Sequence, residues 1–379
     1  MRIAMLADSY YPTRDGVVTS ISTIRRSLEN LGHEVYIIAP DPGREKRTED
    51  DNVIWIAAMK FKKYEGYYIP IYPFLKLALL KRLKIDVLHV HGIATMALRS
   101  LATSICLDIP TVLTFHTMVD DAAVRYLPLN IPEERMKKLV WFYIRKVLGR
   151  MDALIVPMES IRREMISNRI ENGRIVTIPT GIDSSNFNPH IDGTGFKKKY
   201  GLGKGKVIIH VGRMSFEKNI PLIIRAMRQI DATLALAGNG PERKNLERLV
   251  EELCLGDKVR FLGFVPDHEL PHAYAAADTA VSASGFETQG LSILEAMASG
   301  LPVACYNMRA FADIIRDGEN GFLFEDEDGC ARALKKCLDA NDGLRAESVR
   351  TARCFDLTTS AEKTIALYEE IIKAKRGGE

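Results

Sequence analysis

The chain is poor in the features that place a protein at once. No run of eighteen apolar residues occurs in its 379 residues, so no membrane span is expected. Residues 1–10 lead straight into a strand without a basic region and cleavage site, so no signal peptide is expected. The six cysteines, at 106, 254, 305, 330, 337 and 354, lack metal-ligand spacing. Cys330 and Cys337 fall on one predicted helix about two turns apart, too far to bridge, so free thiols in a reducing cytoplasm are expected. No G-x-G-x-x-G is present, which argues against a dinucleotide, and no RNA- or DNA-binding motif is present either. Charge of neither sign dominates, since the net value is +3. That figure hides an asymmetry: residues 1–180 carry 26 Lys and Arg against 20 Asp and Glu, and the remainder 26 against 29.

What is present is enough for two sizeable cores, at 46% hydrophobic and 27% charged residues. Short apolar runs at Ile3–Ala7, Val35–Ala39, Asp86–Val90, Thr111–Phe115 and Met151–Pro157 alternate with helical patterns, including 72–83 and 93–107. The same alternation resumes at Lys206–Val211, Leu234–Ala237, Val259–Leu262, Thr279–Ser282, Val303–Cys305 and Gly321–Phe324. A last helix covers 358–375. Strands alternating with helices predict parallel sheets, whose ligands bind outside the carboxyl ends of the strands.

One stretch organises the rest, Gly285-Phe286-Glu287-Thr288-Gln289-Gly290-Leu291-Ser292-Ile293-Leu294-Glu295. Residues 283–290 read as a loop. From Leu291 the apolar positions 291, 294, 297 and 298 share a helical face, closed by Gly300 before Pro302. A helix entered through Gly290 offers free backbone N–H groups, at Gly290 and Leu291, and a positive dipole end to a phosphate. Glu287 and Glu295 flank that anion site. A carboxylate is a poor phosphate ligand but a good acceptor for sugar hydroxyls, so the set fits a nucleotide sugar. The bland alternative is an ordinary α/β loop, with Glu287 as a cap and Glu295 solvated.

This stretch resembles the E-x7-E signature of retaining glycosyltransferases of family 4, which have the GT-B architecture. Its Phe-Glu-Thr-Gln-Gly-Leu variant resembles the branch that glucosylates diacylglycerol. The likeness extends along the chain. Gly16, in a loop after the first strand, matches the first glycine of the family's Gly-rich loop, although a plain tight turn explains it as well. His116 matches a histidine that lies beside the transferred sugar. Ile178-Pro179-Thr180-Gly181-Ile182-Asp183 resembles the turn that ends the family's N-terminal domain, with Thr180 in place of Asn. Gly212-Arg213 and Lys218-Asn219 match Gly-Arg-x4-Lys-Gly/Asn, and Val265 falls in the loop that holds the nucleobase through backbone groups.

The resemblance implies two doubly wound Rossmann-like domains facing across a cleft. The expected organisation is an acceptor domain over 1–183, a connector over 184–205 and a nucleotide-sugar domain over 206–357. A C-terminal helix over 358–379 would pack back on the first domain. Glu295 would take the ribose hydroxyls and Glu287 those of the transferred sugar. Arg213 and Lys218 would offset charge on the leaving diphosphate, although a local salt bridge with Glu217 is the alternative for that pair. Cofactors are not expected. Asp326-Glu327-Asp328 resembles a metal-binding D-x-D but opens a helix, where acids favour the dipole.

Two stretches bear on partners. Met59–Lys84 interleaves Lys60, Lys62, Lys63, Lys76, Lys81, Arg82 and Lys84 with Phe61, Tyr64, Tyr67, Tyr68, Tyr72 and Phe74. Pro132–Arg150 reads as a helix with an apolar stripe at 136, 139, 140, 143 and 147, surrounded by Arg135, Lys137, Lys138, Arg145, Lys146 and Arg150, with Trp141 and Phe142 adjoining. Such stretches suit an anionic membrane surface, or else a solvated helix with its apolar face in the core. The expectation is a peripheral enzyme on the cytoplasmic face of the membrane, moving a hexose from a nucleotide sugar such as UDP-glucose to a lipid acceptor, without nucleic acid. A family 4 enzyme with a soluble or phosphoinositide acceptor, a GT-B epimerase and a catalytically silent scaffold are the alternatives.

Overall fold

Short, almost wholly apolar runs such as Ile3-Ala4-Met5-Leu6 and Val207-Ile208-Ile209 form strands buried on both faces. That pattern belongs to parallel sheets covered by helices. The computed structural model describes residues 1–13, 16–61, 68–71, 75–116 and 132–377. Lys62, Lys63, Tyr64, Tyr67, Tyr72 and Phe74 from the stretches above lie outside the described residues. The chain divides into two units, Met1–Gly181 with Leu357–Glu379, and Ile182–Asp356.

The first unit holds β1 (Arg2–Leu6), β2 (Glu34–Pro40), β3 (Val53–Ile56), β4 (Ala58–Lys60), β5 (Tyr68–Pro70), β6 (Val87–Val90), β7 (Thr111–Thr114), β8 (Ala153–Val156) and β9 (Ile175–Thr177). Seven strands form a parallel sheet in the order β3-β2-β1-β6-β7-β8-β9, while β4 and β5 pair as an antiparallel ribbon. The second unit holds β10 (Val207–Val211), β11 (Thr233–Ala237), β12 (Val259–Gly263), β13 (Thr279–Ser282), β14 (Val303–Tyr306) and β15 (Phe322–Phe324). These form a second parallel sheet in the order β12-β11-β10-β13-β14-β15. Each fully buried Ile, Leu or Val in these strands contributes about 1.5–3 kcal/mol.

The helix Leu357–Arg376 belongs to the first unit. Its Ala361, Leu367, Tyr368 and Ile371 share a core with Ile21, Ile24 and Leu28 of the helix Gly16–Asn30. Gly181 lies against the start of that last helix, and a Cβ on it would come within 2.3 Å of Leu357 Cα.

Two expectations need correction. Residues 184–205, read as a connector, lie inside the second unit, where Thr194–Lys199 is a short helix with Phe196 and Leu202 buried. Its glycines do not all mark loose chain: a Cβ on Gly193 would lie 2.2 Å from the backbone nitrogen of Ala276. The apolar stripe of the helix Glu133–Leu148 also turns differently. Met136, Val140, Trp141, Ile144, Val147 and Leu148 are buried, whereas Leu139 and Phe142 are exposed beside Arg135, Lys138 and Lys146. Tyr143 donates its hydroxyl to Ala94 O at 2.7 Å, so that position bonds to a neighbouring loop. Asp326 caps the helix Glu327–Leu338 by accepting from Gly329 N at 2.6 Å.

A carboxylate at the end of β1 fixes the next important helix. Asp8 accepts hydrogen bonds from the backbone N–H groups of Ala94, Thr95 and Met96 and from Thr95 Oγ1, at 2.8–3.1 Å. It thereby caps the helix Thr95–Leu107 from a distant strand. A Cβ on Gly92 would lie 2.0 Å from Asp8 Oδ2, so glycine gives the carboxylate its room. Asp8→Ala leaves these donors without an acceptor and is expected to lower the unfolding free energy by about 2 kcal/mol, read from the shift in urea midpoint.

Candidate active site

In each sheet the strand sequence reverses once, between β1 and β6 and between β10 and β13. The connections there lead to opposite faces, leaving a crevice outside the carboxyl ends in which α/β sheets bind ligands. Gly16 follows β1, Arg213 and Lys218 follow β10, and Glu287, Gly290 and Glu295 follow β13, whereas His116 follows β7 and Val265 the edge strand β12.

In the second unit, Arg213 follows β10. Its loop is held against the loop after β11 by the bond from Met214 N to Asn239 O at 2.9 Å. The approach depends on glycine: a Cβ on Gly238 would stand 1.9 Å from Gly212 O, and one on Gly240 would stand 2.2 Å from Met214 O. Lys218 ends a single 3-10 turn, Phe216–Lys218, and its ammonium pairs with Glu287 Oε1 from the loop after β13. The local alternative fails for Lys218, because Glu217 accepts from Ser215 Oγ instead, at 2.5 Å. Burial pushes the Glu287 carboxyl up, but the charge and hydrogen bond of Lys218 outweigh it and hold the group below the usual carboxylate range. His210, buried on β10, donates Nδ1–H to Val281 O at 3.0 Å and is driven to about 4 by burial.

Gly290 is the N-cap of the helix Leu291–Ala298 and has φ 79°. Its hydrogen faces Phe311, since a Cβ would come within 2.4 Å of Phe311 Cε1. The N–H groups of Leu291 and Ser292 open this helix at its positive end, and Ile293 N bonds Gly290 O at 3.0 Å. Glu295 sits one turn along, partly buried, and accepts a hydrogen bond from Tyr274 Oη to Oε2 at 2.9 Å. Burial raises its carboxyl to about 7; the Tyr274 bond opposes that shift and Asp267 adds to it. The two acids around Gly290 are thus displaced in opposite directions. Val265 is buried in the loop after β12, whose last residue, Gly263, takes φ 71°.

In the first unit, His116 follows β7 and His91 follows β6, with His91 Nδ1 2.9 Å from His116 Nε2. Burial keeps both neutral, lowering His116 to about 4 and His91 well below its ordinary value. Gly16 opens the helix Gly16–Asn30 and is exposed, with no atom within 4 Å of where a Cβ would lie. Neither a left-handed backbone nor a close neighbour among the described residues requires glycine there.

Sequence reasoning missed Tyr274, His91 as a partner of His116, and Phe311. Tyr274 bonds Glu295 across 21 residues and Phe311 lies on a separate helix, so no local spacing signals either. The Lys218–Glu287 pair was approached from two motifs without their being seen as one contact.

Residues 14–186 match the pattern described as Glycosyltransferase Family 4, and residues 194–353 match Glycosyl transferases group 1. The chain belongs to the family 4 glycosyltransferases and has the GT-B fold, with two Rossmann-like parallel sheets. It is 30% identical over 360 residues to an alpha-monoglucosyldiacylglycerol synthase of Streptococcus pneumoniae, covering 92% of this chain and 81% of that protein. A protein of the same description from Acholeplasma laidlawii is 30% identical over 352 residues, covering 88% of this chain and 87% of its own. In fold it is similar to Anabaena HepE in complex with UDP and glucose, with a TM-score of 0.79 at 19% identity, over 98% of this chain and 100% of that one.

Gly290 offers a sharp test of how this site is built. Gly290→Ala meets both an unfavourable φ and the Phe311 ring, so the helix start has to shift. An expected loss of about 1–3 kcal/mol is measured by denaturation, and trimming Phe311 to Leu relieves only part of it because the backbone strain remains.

Proposed function

We propose that the chain is a retaining hexosyltransferase that moves glucose from a nucleotide sugar to a glycerolipid of the diacylglycerol type. One observation carries this reading: the loops after β10 and β13 bring Lys218 and Glu287 into contact, next to a helix N-terminus at Gly290 and a second acid at Glu295. Arg213, Lys218 and the N–H groups at Gly290 and Leu291 suit the diphosphate. Glu295 suits the ribose hydroxyls, Glu287 those of the hexose, and backbone groups around Val265 the base. The bond from the sugar carbon to the diphosphate oxygen breaks as the acceptor hydroxyl adds on the same face, and the acceptor's proton passes to the leaving phosphate oxygen. Arg213 and Lys218 act where negative charge grows, which is the interaction that raises a rate rather than only binding. His116 lies beside the transferred sugar in this scheme, Gly16 belongs to the substrate-binding loop after β1, and no metal is required by it.

The names of the two relatives support a glycerolipid acceptor. Turnover over lipid extract with a panel of UDP and GDP sugars, followed by mass analysis of the product, tests donor and acceptor together. Glu295 sharpens the donor half. Its raised pKa leaves the carboxyl partly protonated near neutrality, and the ionised form is the better acceptor for ribose hydroxyls. Donor affinity is therefore expected to rise as pH increases from 6 to 8. Glu295→Gln should abolish that dependence and weaken binding by about 1.5–3 kcal/mol, measured by calorimetry. Unchanged affinity and pH profile would remove Glu295 from the site.

The acceptor half rests on the outward face of the helix Glu133–Leu148. Arg135, Lys138, Leu139, Phe142 and Lys146 are exposed along it, and Lys146 Nζ lies 5.8 Å from the Phe142 ring centre. Leu98 and Ile105 are exposed on the helix Thr95–Leu107 of the same unit. Each Lys or Arg near an anionic surface contributes about 1 kcal/mol, and salt screens it. Binding to vesicles rich in anionic lipid is expected at low salt and should fall as salt rises. Lys138→Glu with Lys146→Glu should weaken it at least about tenfold. Protein that remains in the supernatant at every lipid composition would favour a soluble acceptor.

A further inference from the structure

The strand ends of the first unit carry a set of histidines that the proposed reaction uses only in part. His89 lies on β6, His91 just after it, and His116 just after β7, the adjacent strand. His91 is held from below by its backbone N–H, which donates to Leu6 O at 2.8 Å, and its ring lies 4.0 Å from that of His89.

His89 in turn has a fixed tautomer. The Tyr368 hydroxyl is wholly buried, and its contact is His89 Nδ1 at 2.5 Å. A buried hydroxyl proton needs an acceptor, so Tyr368 donates to Nδ1. The His89 proton is then on Nε2, where it donates to Thr114 Oγ1 at 2.6 Å.

The same accounting applies one ring further on. His91 Nδ1 and His116 Nε2 are 2.9 Å apart, so one of them carries the proton between them. The other nitrogen of His91, Nε2, is buried with no hydrogen-bond partner among the described residues. If His116 were the donor, neutral His91 would hold its proton on that buried Nε2 as an orphaned N–H. If His91 is the donor, Nε2 is only an unused lone pair. Orphaned buried N–H groups are rarer than unused acceptors, so the second arrangement is the stable one.

We propose that His91 is a positioning residue that donates its Nδ1–H to His116 Nε2 and so fixes His116 as the Nδ1–H tautomer. His116 then takes part as a hydrogen-bond donor through Nδ1 and not as a base through Nε2. The part of this that concerns catalysis rests on His116 lying beside the transferred sugar; the tautomer does not. Burial keeps both rings neutral, which is consistent with a single proton between them.

Nitrogen-15 spectra of the full chain with labelled histidine test it. The expected result is a protonated Nδ1 and a bare Nε2 on His116, with a scalar coupling through the hydrogen bond from His91 Nδ1–H to His116 Nε2. His91→Leu should release His116 to a mixture of tautomers and lower kcat about tenfold, with UDP affinity unchanged. His91→Asn, whose amide N–H reaches the place of Nδ1, should recover much of both losses. A wild-type spectrum with the proton on His116 Nε2 overturns the proposal, and it decides the matter even where His91→Leu folds poorly. A fully active His116→Ala would instead overturn the placement of His116 beside the sugar, while the spectra still decide the role of His91.

Discussion

Each sheet is governed by one topological constraint. Parallel strands joined by right-handed crossovers can be added on both sides of a starting strand only if the direction of winding reverses there. At that reversal, the loops leaving two neighbouring strands diverge and do not cover their own carboxyl ends. In the second unit this brings together residues 69 positions apart, Lys218 and Glu287. Glycine makes the meeting possible. Gly238 and Gly240 let one loop lie on the backbone of another, and Gly290 lets the helix start beneath Phe311. Larger residues at these points would push the loops apart, and at Gly290 would also press on the buried Phe311.

Once the loops are placed, their surroundings give two identical side-chain types different properties. Glu287 and Glu295 are both removed from bulk water, which by itself favours the protonated form. Glu287 has an ammonium as partner and stays ionised. Glu295 has a phenol, a neutral donor that offsets desolvation only in part, so its carboxyl is raised to about 7. Paired titratable groups whose environments push them apart are a common way to divide roles within one site. On the proposed reading, a diphosphate competes with Glu287 for Lys218. That competition leaves Glu287 free to accept from a sugar hydroxyl only when the donor is present. The pair is only about one-fifth exposed, at 23% and 20% for its two side chains, so the exchange takes place with little help from solvent.

Most of the strand order was legible in the sequence because parallel strands are apolar on both faces, although β3, β4, β5 and β9 were not read as strands. Runs such as Val207–Val211 and Thr279–Ser282 stand out without any three-dimensional information. The loop and helix around Gly290 were also legible, since an anion site at a helix start and two flanking acids are local features. Contacts set by strand order were not. Nothing in the spacing says that Tyr274 donates to Glu295 or that His91 meets His116. The segment 184–205 misled for a related reason: glycines read as loose chain, whereas Gly193 marks a place where two backbones touch. On the helix Glu133–Leu148 a crowded apolar pattern left the buried face ambiguous by one position. Packing chose Trp141 over Leu139.

The last helix ties the chain's end to its beginning in a way that bears on how the first unit forms. Tyr368 bonds His89 across 279 residues, and its neighbours Ala361, Leu367 and Ile371 complete the core around Ile21 and Leu28. Without that helix, His89 would lose the donor that fixes its proton, and one side of the core would be open to water. The intervening residues Ile182–Asp356 build a separate core of their own, around Ile208, Ile223, Leu236 and Leu334. Contacts of such sequence separation carry a loop-closure cost, but it grows only with the logarithm of the length. A folded second unit shortens the effective loop further, because its two ends are no longer joined by free chain. The histidine cluster is therefore complete only once the final helix has docked.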